Sequence, residues 1–207
     1  MNSAKGYDLF GKAIIKILNQ HPKWKSIVIG DELREEINFT HKKHNGDWTP
    51  IIKREIFGGA HVSAVLPYDP IKKKILLLKQ FRAGVIKRNH DPMMLEIVAG
   101  MIDKGETPSD AAKRECLEET GQKVKTLKHI NSYYPSPGSS ESYFHSYLAE
   151  INAFDGEKVF GQENENEDIL VKSYSIIEVK TLLKEKKILN ALSLLALQWF
   201  FLEYCKD

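Results

Sequence analysis

The sequence predicts a mixed α/β protein, an α+β or layered α/β/α domain, and three observations carry that expectation. Two apolar runs, HVSAVLPY and ILLLKQF, flank a turn at Asp69-Pro70 and read as a strand hairpin. The pattern then switches sharply to helical spacing over 108–120. After strand-like stretches near 127–134, 142–151 and 170–177, helical patterns return at 178–186 and 190–204.

Taken in order, residues 8–19 suit a short helix, and 26–29 and 35–40 short extended pieces. Asn45-Gly46-Asp47 offers a turn, IIKREIF after Pro50 a strand, and Gly58-Gly59 a bend. This first stretch, residues 1–57, reads as an appendage to a core domain over 58–207. Within the core, the short apolar run MMLEIV leads into the Gly-containing loop AGMIDKGE. The helix that follows is sharply marked. Thr107 is a good N-cap, Pro108 suits the first helical position, Asp110 can reach back to the cap amide, and Gly121 supplies the stop.

Composition removes several classes of function. The chain carries 30 Lys and Arg against 28 Asp and Glu, a formal charge of +2, which gives no support to a nucleic-acid binder. Two cysteines, Cys116 and Cys205, are too few for a disulfide scaffold and lack metal-ligand spacing. The longest apolar stretches, Leu192–Leu197 and Trp199–Leu202, are interrupted by Gln198, so no membrane span is expected. The opening residues do not read as a signal peptide, and a cytoplasmic location is the expectation.

The helix carries an electrostatic conflict. Glu115, Glu118 and Glu119 are three and four apart and share one sector, where like charges repel. Two of them lie near the C-terminal end, where the helix dipole disfavours anions. Lys113 and Arg114 give partial relief. Either the face is simply solvated or a hard divalent cation sits on these carboxylate oxygens. A second acidic cluster, ENENED at 163–168, reads alone as an exposed loop.

Gly100, five residues, Glu106, seven residues, then Arg114-Glu115-Cys116-Leu117-Glu118-Glu119-Thr120-Gly121 resembles the signature of the Nudix hydrolase family. All the fixed polar and glycine positions are present; Cys116 and Gln122 stand where the family usually places aliphatic residues. LEIVAGMIDKGE, Pro137 sixteen residues past Gly121, ENEDI and ILNALSLLALQW are similar to the ADP-ribose pyrophosphatase branch, over about Lys53 to Trp199. The resemblance implies a Nudix-type α/β/α sandwich on a mixed sheet over 58–207. It also implies that 1–57 is a β-rich dimerisation region.

The same resemblance implies the site. Glu115 and Glu119 correspond to the principal magnesium ligands, with Glu118 sharing the cluster and the Ala99 carbonyl completing it. Magnesium is the expected ion, manganese the alternative, with two or more ions per site. Arg114 and Glu106 correspond to orienting residues, while Gly100 and Gly105 let the loop turn. Glu165 takes the place of the water-activating base or movable ligand, supported by Glu167; Glu163 has no assigned role. Arg82, and less directly Arg54, correspond to phosphate contacts, and Glu141 to a ribose or metal-shaping group. Trp48 or Phe39 is a candidate to stack on adenine across a homodimer interface, and His61 and Tyr134 are read as structural. The implied reaction is magnesium-dependent hydrolysis of ADP-ribose to AMP and ribose 5-phosphate. The alternatives are another nucleoside-diphosphate sugar such as GDP-mannose, or a nucleotide-binding regulator without catalysis.

Overall fold

Unbroken apolar runs make the middle strands of the sheet, because a strand covered on both faces has no reason to alternate. The computed structural model describes residues 34–88, 90–162 and 167–205. The expected helix at 8–19 and extended piece at 26–29 lie outside the described residues. Strand β1 spans Arg34–Phe39 and β2 Ile52–Phe57, and the two pair as a small separate sheet. The turn between them forms at the expected place: Gly46 has φ +91° and donates to the Lys43 carbonyl at 2.9 Å.

The main sheet contains β3 (His61–Asp69), β4 (Lys74–Phe81), β5 (Met93–Glu96) and β6 (Val98–Met101). It continues with β7 (Thr126–Tyr133), β8 (Tyr143–Glu150), β9 (Glu157–Phe160) and β10 (Ile169–Ser175). Among the described residues these eight strands form one sheet ordered β7-β8-β3-β4-β10-β9, with β5 on β4 and β6 on β3. Only the β3–β8 pairing is parallel; the others are antiparallel. The expected β3–β4 hairpin forms, but its paired register is limited to Tyr68↔Ile75 and Asp69↔Lys74. Beyond that the two strands diverge, and the run MMLEIV fills the opening. Met93–Glu96 pairs with β4, the chain crosses at Ile97, and Val98–Met101 pairs with β3. A 3-10 turn at Ala83–Arg88 and the strand β9 were not anticipated.

Among the described residues three helices cover the sheet: α1 (Pro108–Thr120), α2 (Ile176–Lys184) and α3 (Ala191–Trp199), the last continuing as a π-helical turn over Phe200–Tyr204. Alternate residues of the strands feed two separate cores. Ala64, Leu66, Ile75, Leu77 and Ile97 pack with Val179, Leu192, Leu197 and Phe200 of the C-terminal helices. Val65, Leu76, Leu78 and Val98 pack with Ala112 and Cys116 of α1. Small side chains at Ala111 and Ala112, both fully buried, let α1 lie close on the sheet. Cys116 behaves as the small hydrophobe expected there; burial pushes its thiol up to about 12. No helix of the described residues is long and apolar enough to cross a membrane.

Candidate active site

Local chemistry fixes both ends of α1. The Thr107 hydroxyl oxygen accepts from the Asp110 amide at 3.2 Å, and Gly121, at φ +67°, donates to the Leu117 carbonyl at 2.8 Å. Asp110 departs from expectation in one detail: its carboxylate accepts the cap hydroxyl at 2.7 Å rather than the cap amide. The helix start is tied to the sheet by Ser63 Oγ, which donates to the Pro108 carbonyl at 2.6 Å.

With the helix so placed, its acidic sector meets β6. The Ala99 amide donates to Glu119 Oε2 at 3.2 Å. A Cβ at Gly100 would overlap the Glu115 carboxylate and force it from its place beside Arg114. Arg114 knots this region together. It donates to Glu106 from Nε (3.0 Å) and Nη2 (2.9 Å), to Glu115 Oε1 at 2.6 Å, to Glu118 Oε2 at 3.0 Å and to the Met101 carbonyl at 2.9 Å. These charge-assisted bonds hold the Glu106 carboxyl below its usual range, Arg114 being the main cause. Among the described residues no group of three or more acidic, histidine or cysteine side chains stands as a metal-ligand set, and the Arg114 guanidinium takes oxygens of Glu115 and Glu118.

Glu119 is the buried member, only 4% exposed. Burial first, and then the charge of Glu115, push its carboxyl up to about 8; the Ala99 amide works against this, Glu167 adds to it, and Arg82 opposes it. Burial also raises Glu115, against the pull of Arg114. Glu167 acts on both helix glutamates and is anchored through backbone bonding with Gln162. Glu163 and Glu165 lie outside the described residues.

The remaining predicted residues divide. Arg82 joins the cluster electrostatically and is gripped by Glu96: Nε and Nη2 both lie 2.8 Å from Glu96 Oε2. Glu141 sits in the loop before β8, where Gly59 donates its amide to Oε1 at 3.2 Å. A close approach, more than a bend, accounts for Gly59, since a Cβ there would run into the backbone of Ser142. Phe57 reinforces the junction, donating to the Ser139 carbonyl at 2.8 Å. Arg54 is exposed on β2 and donates to the Lys53 carbonyl. Trp48 is 61% exposed with the Lys42 ammonium 5.9 Å from its ring centroid. The structure brings neither Arg54 nor Trp48 to the glutamates by any hydrogen bond or ion pair among the described residues.

Sequence reasoning passed over Glu96. The signal was available: it is the lone acid in an apolar strand run, MMLEIV, and such an acid must either face water or be paired. Here it is buried and paired.

Residues 59–195 match the family model described as the NUDIX domain. The chain is 34% identical over 195 residues to the ADP-ribose pyrophosphatase of Escherichia coli (strain K12), covering 94% of this chain and 91% of that protein. It is 34% identical over 175 residues to the ADP-ribose pyrophosphatase of Haemophilus influenzae, covering 83% and 81%. The GDP-mannose pyrophosphatase of Cronobacter sakazakii is 33% identical over 125 residues, covering 59% of this chain and 65% of that protein.

Proposed function

The chain belongs to the NUDIX family, and from that premise we propose that it is a magnesium-dependent pyrophosphohydrolase of ADP-ribose, releasing AMP and ribose 5-phosphate. The observation that carries the substrate is the extent of the likeness. The two relatives named for ADP-ribose align over 94% and 83% of the chain, whereas the one named for GDP-mannose aligns over 59%.

The donor set suits magnesium. Glu115, Glu118 and Glu119 offer hard carboxylate oxygens on one helix face, with the Ala99 carbonyl on the strand beside them. The conflict at Glu119, buried beside another carboxylate, is what a divalent charge resolves. Gly100 supports the same reading, because it leaves the space that the Glu115 carboxylate fills. The ion, with manganese as its alternative, would neutralise pyrophosphate charge and activate water. Arg114 holds the glutamates in register, Arg82 holds the substrate's phosphates, Glu141 shapes the ribose end, and Glu165 with Glu167 accepts the proton from the attacking water. Trp48 and the exposed Phe39, Ile51 and Phe57 of the β1–β2 region favour a homodimer that completes the nucleotide site, with the core domain as an α/β/α sandwich.

GDP-mannose stays the second reading, favoured by the 33% likeness to its pyrophosphatase. Purified protein with magnesium and a panel of ADP-ribose, GDP-mannose and dinucleotides decides between them. The expected result is highest kcat/KM on ADP-ribose with AMP as a product. A higher value on another sugar nucleotide overturns the substrate, and no cleavage of any of them overturns the enzyme.

A further inference from the structure

We propose that Asn190 is a positioning residue of this site, acting through the buried Glu96 to aim the guanidinium of Arg82 at the substrate's phosphates. The proposal rests on the reading of Arg82 as a phosphate contact.

The geometry is a relay of three side chains from three parts of the chain. Glu96, at the end of β5, has a side chain only 5% exposed. Its Oε2 accepts a hydrogen bond from Arg82 Nε and lies 2.8 Å from Nη2 in the same ion pair, and its Oε1 accepts from the Asn190 amide nitrogen at 2.8 Å. A buried carboxylate with one oxygen unpaired is costly and free to turn, so the Asn190 bond fixes the plane in which Glu96 presents itself to Arg82. Arg82, 42% exposed at the side chain, spends Nε and Nη2 on Glu96 and has no partner for Nη1 among the described residues. That division suits an arginine held on one edge and offered to an anion on the other.

Asn190 is itself immobilised. Its Oδ1 accepts from the Ser193 amide at 2.9 Å, making it the N-cap of α3. Of the good capping residues, asparagine is the one that accepts with its oxygen while donating two hydrogens from its nitrogen. One turn on, Ser193 Oγ accepts from the Ile97 amide at 3.0 Å, entirely within the core. The first turn of α3 therefore grips Glu96 and Ile97 together, immediately before Val98-Ala99-Gly100, the strand that meets Glu119 and Glu115. Asn190 is a positioning residue because its side-chain amide reaches Arg82 through Glu96.

The test is Asn190→Ser, which keeps a capping oxygen and removes the donor that reaches Glu96. The expected result, with ADP-ribose or the best substrate of the panel, is KM raised about three- to tenfold with kcat within about twofold. That is less than a whole charge-assisted hydrogen bond, because the loss reaches the substrate only through Glu96 and Arg82. The Nε–Hε resonance of Arg82, identified by its disappearance in Arg82→Lys, is expected to shift. Asn190→Asp also retains the cap but sets a carboxylate against Glu96, and is expected to raise KM at least as far. An unchanged KM in the folded serine or aspartate variant, or an unmoved Arg82 resonance, overturns the proposal. Arg82→Lys separates the two claims. Unchanged KM there refutes the phosphate contact itself, whereas raised KM there with unchanged KM in Asn190→Ser refutes only the positioning role.

Discussion

Arg114 and Arg82 both act on the same carboxylate cluster, yet their supports come from very different distances along the chain. Among the described residues every partner of Arg114, from Met101 and Glu106 to Glu115 and Glu118, lies within 13 residues of it. Arg82 depends on Glu96, 14 residues away, and Glu96 on Asn190, a further 94. The first arrangement closes as soon as α1 and its preceding loop form. The second exists only after the β4–β5 pair and the last helix have met. On the proposed reading, the local knot orders the glutamates that would hold the metal, and the long-range relay orders the arginine that would meet the phosphates.

The largest effect is expected where both fields meet. Glu119 feels Arg82 and Glu167, and its neighbour Glu115 is held by Arg114. Changing Glu119→Gln keeps the shape and removes the charge, and kcat is expected to fall by about a hundredfold or more, the scale of lost metal-ion stabilisation. Thermal stability in metal-free buffer is not expected to fall, because the amide removes a charge that burial and Glu115 both oppose. Steady-state kinetics with parallel thermal melts check both parts. Turnover within a few-fold of the unaltered chain would remove Glu119 from the ligand set.

Next in size is Arg114→Lys, which sharpens the contrast between the arginines. One ammonium cannot span Glu106, Glu115, Glu118 and the Met101 carbonyl together. The expected loss is about 10- to 100-fold, the range for groups that orient metal ligands, and it should fall on kcat. In Arg82→Lys it should fall on KM. If both substitutions change the same parameter, the division between a metal-ordering and a substrate-ordering arginine does not hold.

The contrast also accounts for what could be read in advance. The ends of α1 were legible because Thr107, Pro108 and Gly121 act within a few residues of themselves, and the Glu115–Glu119 conflict is visible from helical spacing alone. The family resemblance followed from the same local stretch, and the family match over 59–195 agrees with it. The split of MMLEIV was not legible, since an apolar run looks the same whether one neighbour or two receive it. Nor was β9, four residues with no buried alternation to mark them. Gly59 gave a visible signal with the wrong meaning: the glycine was evident, but the backbone pressing on it, Ser142, is distant in sequence. Asn190 stood within a segment already noted for its resemblance. Its second bond depends on where α3 lands.

Asp69 combines both kinds of support in one side chain and has the smallest expected effect on turnover. Its Oδ1 accepts from the Ile71 and Lys72 amides at 2.9 Å each, the local half, which Asp69-Pro70 already suggested as a turn. Its Oδ2 accepts from the Ala153 amide at 2.9 Å, across the fold. Burial alone would raise this carboxyl, but the three backbone donors and Lys72 hold it below its ordinary value of 3.8. The sign follows: a depressed folded value means the stabilisation is present above the unfolded value and drains away as pH falls through the folded one. Asp69→Asn turns one acceptor into a donor facing a backbone amide, at a cost of about 1–3 kcal/mol near neutrality. For a chain of this length that is a drop in Tm of about 2–12 °C at pH 7. The gap between the two proteins should narrow below about pH 4, where Asp69 of the unfolded chain takes up its proton before the folded one does. Melting curves across pH 3–7 measure it, with kcat/KM on the best substrate unchanged at pH 7. A gap independent of pH would mean that the side-chain shape, rather than the charge on Asp69, joins the turn to Ala153.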